Sequence, residues 1–147
     1  MDLFNKNCNI CNGKADVEFK RIEVWSTDNW RLTASTYKSV KGLCYLESKR
    51  HIPYITDLDG QESIEFGSVL SKTTKAIKDV FKSELVYVYI YGGHIPHLHV
   101  HLAPHTQNDI FCDNVVKNDD LVGEETLDNS EMASYSLQLQ KLLDRFE

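Results

Sequence analysis

The chain has 147 residues, 41% hydrophobic and 26% charged, with a formal charge of −6, which suits one globular domain with a real core. Residues 1–106 carry 13 Lys/Arg against 12 Asp/Glu, and residues 107–147 carry 3 against 10; this is not the basic footprint of a nucleic-acid binder. No apolar run approaches the roughly 20 residues that span a bilayer, and the polar start "MDLFNKNCNICNGK" is no secretory signal, so the expectation is a cytoplasmic protein without membrane or nucleic-acid partners.

Cys8 and Cys11 form a C-x-x-C pair beside a glycine turn, while Cys44 and Cys112 stand alone. In a reducing compartment such a pair is a metal clip or a redox dithiol, and the turn-like residues on both sides favour metal. "ADVEFKRIEVW", "NWRLTAS" and "GLCYLES" follow, rich in β-branched and aromatic residues and separated by turn residues; they read as three strands. In residues 61–84, Phe66, Leu70, Thr73, Ile77, Val80 and Phe81 recur at helical spacing, with Glu62 and Glu65 early and four lysines late, as a helix dipole prefers. "ELVYVYIY" is a fourth strand, "GGHIP" a connection, and "HLHVHL" a fifth strand antiparallel to the fourth. An acidic stretch leads to a second helix over about 129–146, where Asp128 and Glu131 fit a capping box and Met132, Tyr135, Leu139, Leu142 and Phe146 form a stripe. The expected fold is α+β: an antiparallel sheet of about five strands, one central helix and a C-terminal helix, in a single domain with its core over about 8–105.

His97, His99 and His101 alternate with Leu98, Val100 and Leu102. On a strand this spacing puts all three rings on one face and the aliphatic residues into the core. A rise of about 3.3 Å per residue separates His97 from His101 by roughly 13 Å, too far for both to ligate one ion without a sharp bend. The row therefore reads as three separate tasks.

"HLHVHLAP" resembles the motif of the histidine triad superfamily of nucleotide hydrolases and transferases. "CNIC" resembles the C-x-x-C of its zinc-bearing members. "GLCYLESKRHI", with Gly42 nine residues before His51, resembles their central strand end. The resemblance spans residues 8 to 105 and implies structural zinc held by Cys8, Cys11, His51 and His97, a closed four-ligand set. It implies that His99 is the nucleophile, forming a nucleotidyl-imidazole intermediate with its other nitrogen held by the His97 carbonyl. His101 would bind the phosphate oxygens. A homodimer, paired through the helix and following strand "KAIKDVFKSELVYVYI", is implied as well.

The chain departs from the family pattern in several places. Ser35 stands where an aspartate grips the ribose, so it becomes the nucleoside contact. Gly93 and His94 replace a polar residue and a small hydroxyl residue; His94 is either the acid for the leaving group or a solvent-facing loop residue. Pro104-His105 stands for Pro-Arg. The leading expectation is cleavage of a P–N, P–O–P or P–O–C bond of a nucleotide. A nucleotide-binding or scaffolding module with little turnover is the alternative, and a hydrolase using H-x-H as open metal ligands is a third reading.

Overall fold

The computed structural model describes residues 3–106 and 125–145; Cys112 and Phe146 lie outside them. Five antiparallel strands, β1 (Arg21–Ser26), β2 (Trp30–Ser35), β3 (Cys44–Ser48), β4 (Leu85–Tyr89) and β5 (His99–His105), form one sheet of order β1-β2-β3-β5-β4. Among the described residues three α-helices accompany it: α1 (Lys14–Glu18), α2 (Gly60–Phe81) and α3 (Asn129–Asp144).

The period-2 pattern sends alternate residues to opposite faces. Trp30, Leu32, Leu46, Val100 and Leu102 pack on one face with Val69, Ala76 and Ile77 of α2 and Met132, Leu139 and Leu143 of α3. Phe66, Leu70, Val80 and Phe81 lie partly buried against the same core, and Phe66 stacks on Trp30 with ring centroids 5.4 Å apart. The stripe expected over α2 is the stripe that packs. At the start of α3, the Asp128 carboxylate accepts the Glu131 N–H at 2.8 Å, the forward half of the expected capping box.

The differences from expectation that bear on the site lie at the first and last strands. Residues 15–18, expected as the start of the first strand, belong instead to α1: Gly13 at φ +83 turns the chain out of the cysteine loop, and Ala15 is buried against Cys8 and Ile10. The last strand begins at His99 rather than His97. Its β3 ladder ends at the Glu47–His99 pair, and beyond it the Leu98 N–H bonds instead to the Ile52 carbonyl at 2.6 Å.

Gly42 precedes β3 at φ +93, and a Cβ there would lie 2.7 Å from Pro104 Cγ and 3.0 Å from Phe81 Cγ. Only glycine fits that crossing. At the other end of β3, Arg50 pairs with Asp59 at 2.6 Å and Glu62 at 2.8 Å. The Arg50 guanidinium holds the Glu62 carboxyl below its ordinary value. This clamp ties the segment bearing His51 to the start of α2. Among the described residues no helix is long and apolar enough to cross a membrane.

Candidate metal centre and histidine row

Three separate segments deliver Cys8, Cys11, His51 and His97 to one point, where their four ligand atoms lie within 4.8 Å of one another. Cys8 Sγ is 3.5 Å from His97 Nδ1. Cys11 Sγ is 3.4 Å from both His51 Nδ1 and His97 Nδ1. Tetrahedral zinc with bonds of about 2.3 Å to sulfur and about 2.0–2.1 Å to nitrogen sets its S···N edges at about 3.6 Å, so the spacing fits the ion. His97 Nε2–H donates to the Ser48 carbonyl at 2.6 Å, the outer bond that fixes a metal-bound imidazole.

Burial pushes His97 down to about 4, against the pull of the Ser48 carbonyl, which keeps the ring in the neutral form that a ligand requires. Burial also pushes the Cys11 thiol up, the reverse of a redox-active thiolate. The four residues are thus a closed Cys2His2 set suited to structural zinc, as expected. Among the described residues no other group of three or more ligands gathers this way, and His97 is committed to this set rather than to an open site shared with His99.

His99 and His101 lie on the sheet face opposite α2 and α3, with ring centroids 5.5 Å apart. Leu98, Val100 and Leu102 fill the core, as the alternation requires. His99 is half-buried, and its Nδ1 lies 2.6 Å from the His97 carbonyl oxygen. A carbonyl can only accept, so Nδ1 carries the proton and Nε2 keeps its lone pair. His101 is buried, and its Nδ1 has no hydrogen-bond partner. Burial, helped by His99 and opposed by the Tyr89 backbone, pushes it down to about 4; at neutral pH it is an uncharged imidazole.

The other expected site residues are less central. Ser35 is buried, and its hydroxyl oxygen accepts the Tyr37 N–H at 3.3 Å. His94 is exposed on the loop between β4 and β5. His105 ends β5 against Tyr87, with centroids 5.1 Å apart.

Two features escaped the sequence reading. The first is an ion network on the histidine face. Glu47, the register partner of His99, is fully buried and takes Arg21 and Arg31 at 3.2 Å each. Arg21 also pairs with Asp16 of α1 at 2.7 Å, and Arg31 pairs with Asp16 and with Glu23. The second is a tyrosine box around His101, formed by Tyr45, Tyr89 and Tyr91 at centroid distances of 5.0, 5.3 and 5.3 Å. Arg21 and Glu23 of β1, Arg31 of β2 and Glu47 of β3 were the available signal for the network, but their pairing depends on strand order.

No protein-family model matches the chain, and no curated protein sequence matches it. Its three-dimensional form does match solved structures. A histidine triad protein from Marinobacter aquaeolei is 15% identical, covering 92% of this chain and 96% of that one at a TM-score of 0.76. One from Bradyrhizobium japonicum is 18% identical, covering 90% and 94% at 0.74. A zinc-bound histidine triad family protein from Mycobacterium smegmatis is 16% identical, covering 95% and 94% at 0.64. The chain has the fold of histidine triad proteins.

Proposed function

We propose that the protein is a nucleotidyl hydrolase or transferase that cleaves a P–N, P–O–P or P–O–C bond of a nucleotide through a covalent intermediate on His99. The observation that carries this reading is the 2.6 Å contact from His99 Nδ1 to the His97 carbonyl, which leaves Nε2 as a nucleophile of fixed tautomer. His99 Nε2 bonds to the α-phosphorus as the bond to the leaving atom breaks. The leaving group keeps that electron pair and takes a proton, for which the exposed His94 is the candidate donor. The His99 ring, still protonated at Nδ1, becomes cationic. Water or another acceptor then attacks phosphorus and gives its proton to the now unprotonated His94, and the N–P electron pair returns to Nε2.

His101 contacts the phosphate oxygens as a neutral imidazole, through one N–H donor rather than a charge. Cys8, Cys11, His51 and His97 would hold a zinc ion that supplies no reacting group but would pin the chain at His97, whose carbonyl orients His99. Ser35, the expected nucleoside contact, is buried beside its register partner Arg21 on the closed side of the face, and with its oxygen on the Tyr37 N–H it has only its O–H to offer a ligand. The second reading, a nucleotide-binding module with little turnover, rests on serine standing where the family pattern has an aspartate. We further propose a cytoplasmic homodimer paired through β4, an edge strand on which Leu85, Tyr87 and Val88 are exposed.

Incubating the protein with adenosine 5′-phosphoramidate, quenching in base and measuring intact mass separates the two readings. An enzyme shows turnover and a nucleotidyl adduct lost in His99→Asn, whereas a binding module shows affinity with neither.

A further inference from the structure

The two flanks of the His99–His101 pair differ in kind. Toward β3 and β2 the face is closed. Thr33 and Glu47 are 0% exposed, Tyr45 3% and Arg21 7%, and the ion pairs among Asp16, Arg21, Arg31 and Glu47 lock it. A substrate group can settle there only by breaking buried ion pairs, which is strongly unfavourable.

Toward β4 the flank is open and aromatic. Tyr89 stacks on His101 at 5.3 Å with 19° between the ring planes. Tyr91 meets His101 edge-on at 5.3 Å and rests against Tyr89 at 5.4 Å, yet it remains 56% exposed. A ring held by two other rings and open to solvent is a fixed aromatic surface that has already lost much of its rotamer freedom. Next to it, among the described residues, the chain is bare. A Cβ on Gly93 would meet nothing within 4 Å, and one on Gly92 only Tyr54 Cδ1 at 3.7 Å.

We infer that Tyr91 is a specificity-determining residue that stacks a planar ring carried on a substituent of the scissile phosphorus. The site then favours flat aromatic groups over puckered ones of equal size. This inference rests on the reading that places the phosphorus at His99. The ring has two chemical sources, the nucleobase or the leaving group, because either is tethered within a few bonds of the phosphorus.

The test compares wild type with Tyr91→Phe, which keeps the ring, and Tyr91→Leu, which keeps bulk without a π face. One arm measures binding of AMP against ribose 5-phosphate. The other measures kcat/KM on adenosine phosphoramidates of benzylamine and cyclohexylmethylamine, which match in size and differ in planarity. In one arm wild type and Tyr91→Phe should favour the planar member by about tenfold, in line with base–aromatic stacking, and Tyr91→Leu should bring the ratio toward one. The arm that collapses identifies the ring. Ratios in Tyr91→Leu equal to wild type in both arms overturn the inference while the His99 chemistry stands. Wild type that binds neither phosphate and cleaves neither amidate overturns the nucleotidyl reading, and this inference with it.

Discussion

The backbone carbonyl of His97 lies 2.6 Å from Nδ1 of His99, while the ring of the same His97 sits 3.4 and 3.5 Å from the sulfurs of Cys11 and Cys8. One residue thus joins the metal set to the nucleophile. Its side chain belongs to the first and its carbonyl orients the second.

That junction makes the metal a determinant of both stability and activity. Purified protein should carry about one zinc per chain, consistent with a closed four-ligand site. Cys8→Ser should lose the ion and melt roughly 10 °C lower, the scale for a loss of several kcal/mol in a domain of this size. Metal analysis and thermal melting on the same samples check this. Metal-free protein melting at the zinc-loaded temperature would contradict it.

Acid should destabilise the fold through His101. Its folded value of about 4 lies below the ordinary 6.5, so the unfolded chain takes up the proton first as pH falls. The stabilisation is complete above about 6.5 and is lost as pH falls toward about 4, by about 3 kcal/mol across the window. Zinc release at low pH adds a second loss, so the comparison is between wild type and His101→Asn. Denaturation at pH 7, 5.5 and 4.5 should show the steeper fall in wild type. Parallel curves would show that His101 is not held neutral by burial.

The ion network predicts a contrast between two glutamates that both contact Arg31. Glu47→Ala leaves two guanidiniums short of a buried partner and should cost about 3–5 kcal/mol. Glu23, with a half-exposed side chain, should matter by less than about 1 kcal/mol. Urea denaturation of the two variants distinguishes them. Equal small effects would mean that the network carries no stability.

The edge strand supplies the next expectation. β4 exposes Leu85, Tyr87 and Val88 and, among the described residues, has no strand beyond it, an arrangement that natural sheets usually cover. Sedimentation should give a mass near twice 16.9 kDa, and Val88→Lys should shift it toward the monomer. A wild-type monomer at high micromolar concentration would reject the pairing.

Much of this was legible from periodicity and motif. Alternation in "HLHVHL" separated the rings from Leu98, Val100 and Leu102, and the 3.6 period over α2 found the packed stripe. The four metal residues could be named because their spacing resembled a known pattern; nothing in residues 8, 11, 51 and 97 alone says that they converge. α1 was missed because Val17 and Phe19 read as strand formers, while burial of Ala15 under the cysteine loop decides the local structure. The Asp16–Arg21–Glu47 network was missed because it depends on which strands lie side by side. The same holds for Ser35, whose burial follows from the fold around it rather than from its own residue type.

His101→Ala should lower turnover by about 10²–10³-fold, the loss typical of one transition-state donor, and His97→Ala should damage stability first through the metal set. The most direct measurement is the covalent one on His99. With a substrate that the native protein cleaves, base-quenched intact mass should show one nucleotidyl group per chain, mapped by peptide to His99. His99→Asn should still bind AMP, show no adduct and lose several orders of magnitude in turnover, as removal of a covalent nucleophile does. His99→Asn with wild-type turnover on that substrate would contradict the mechanism outright.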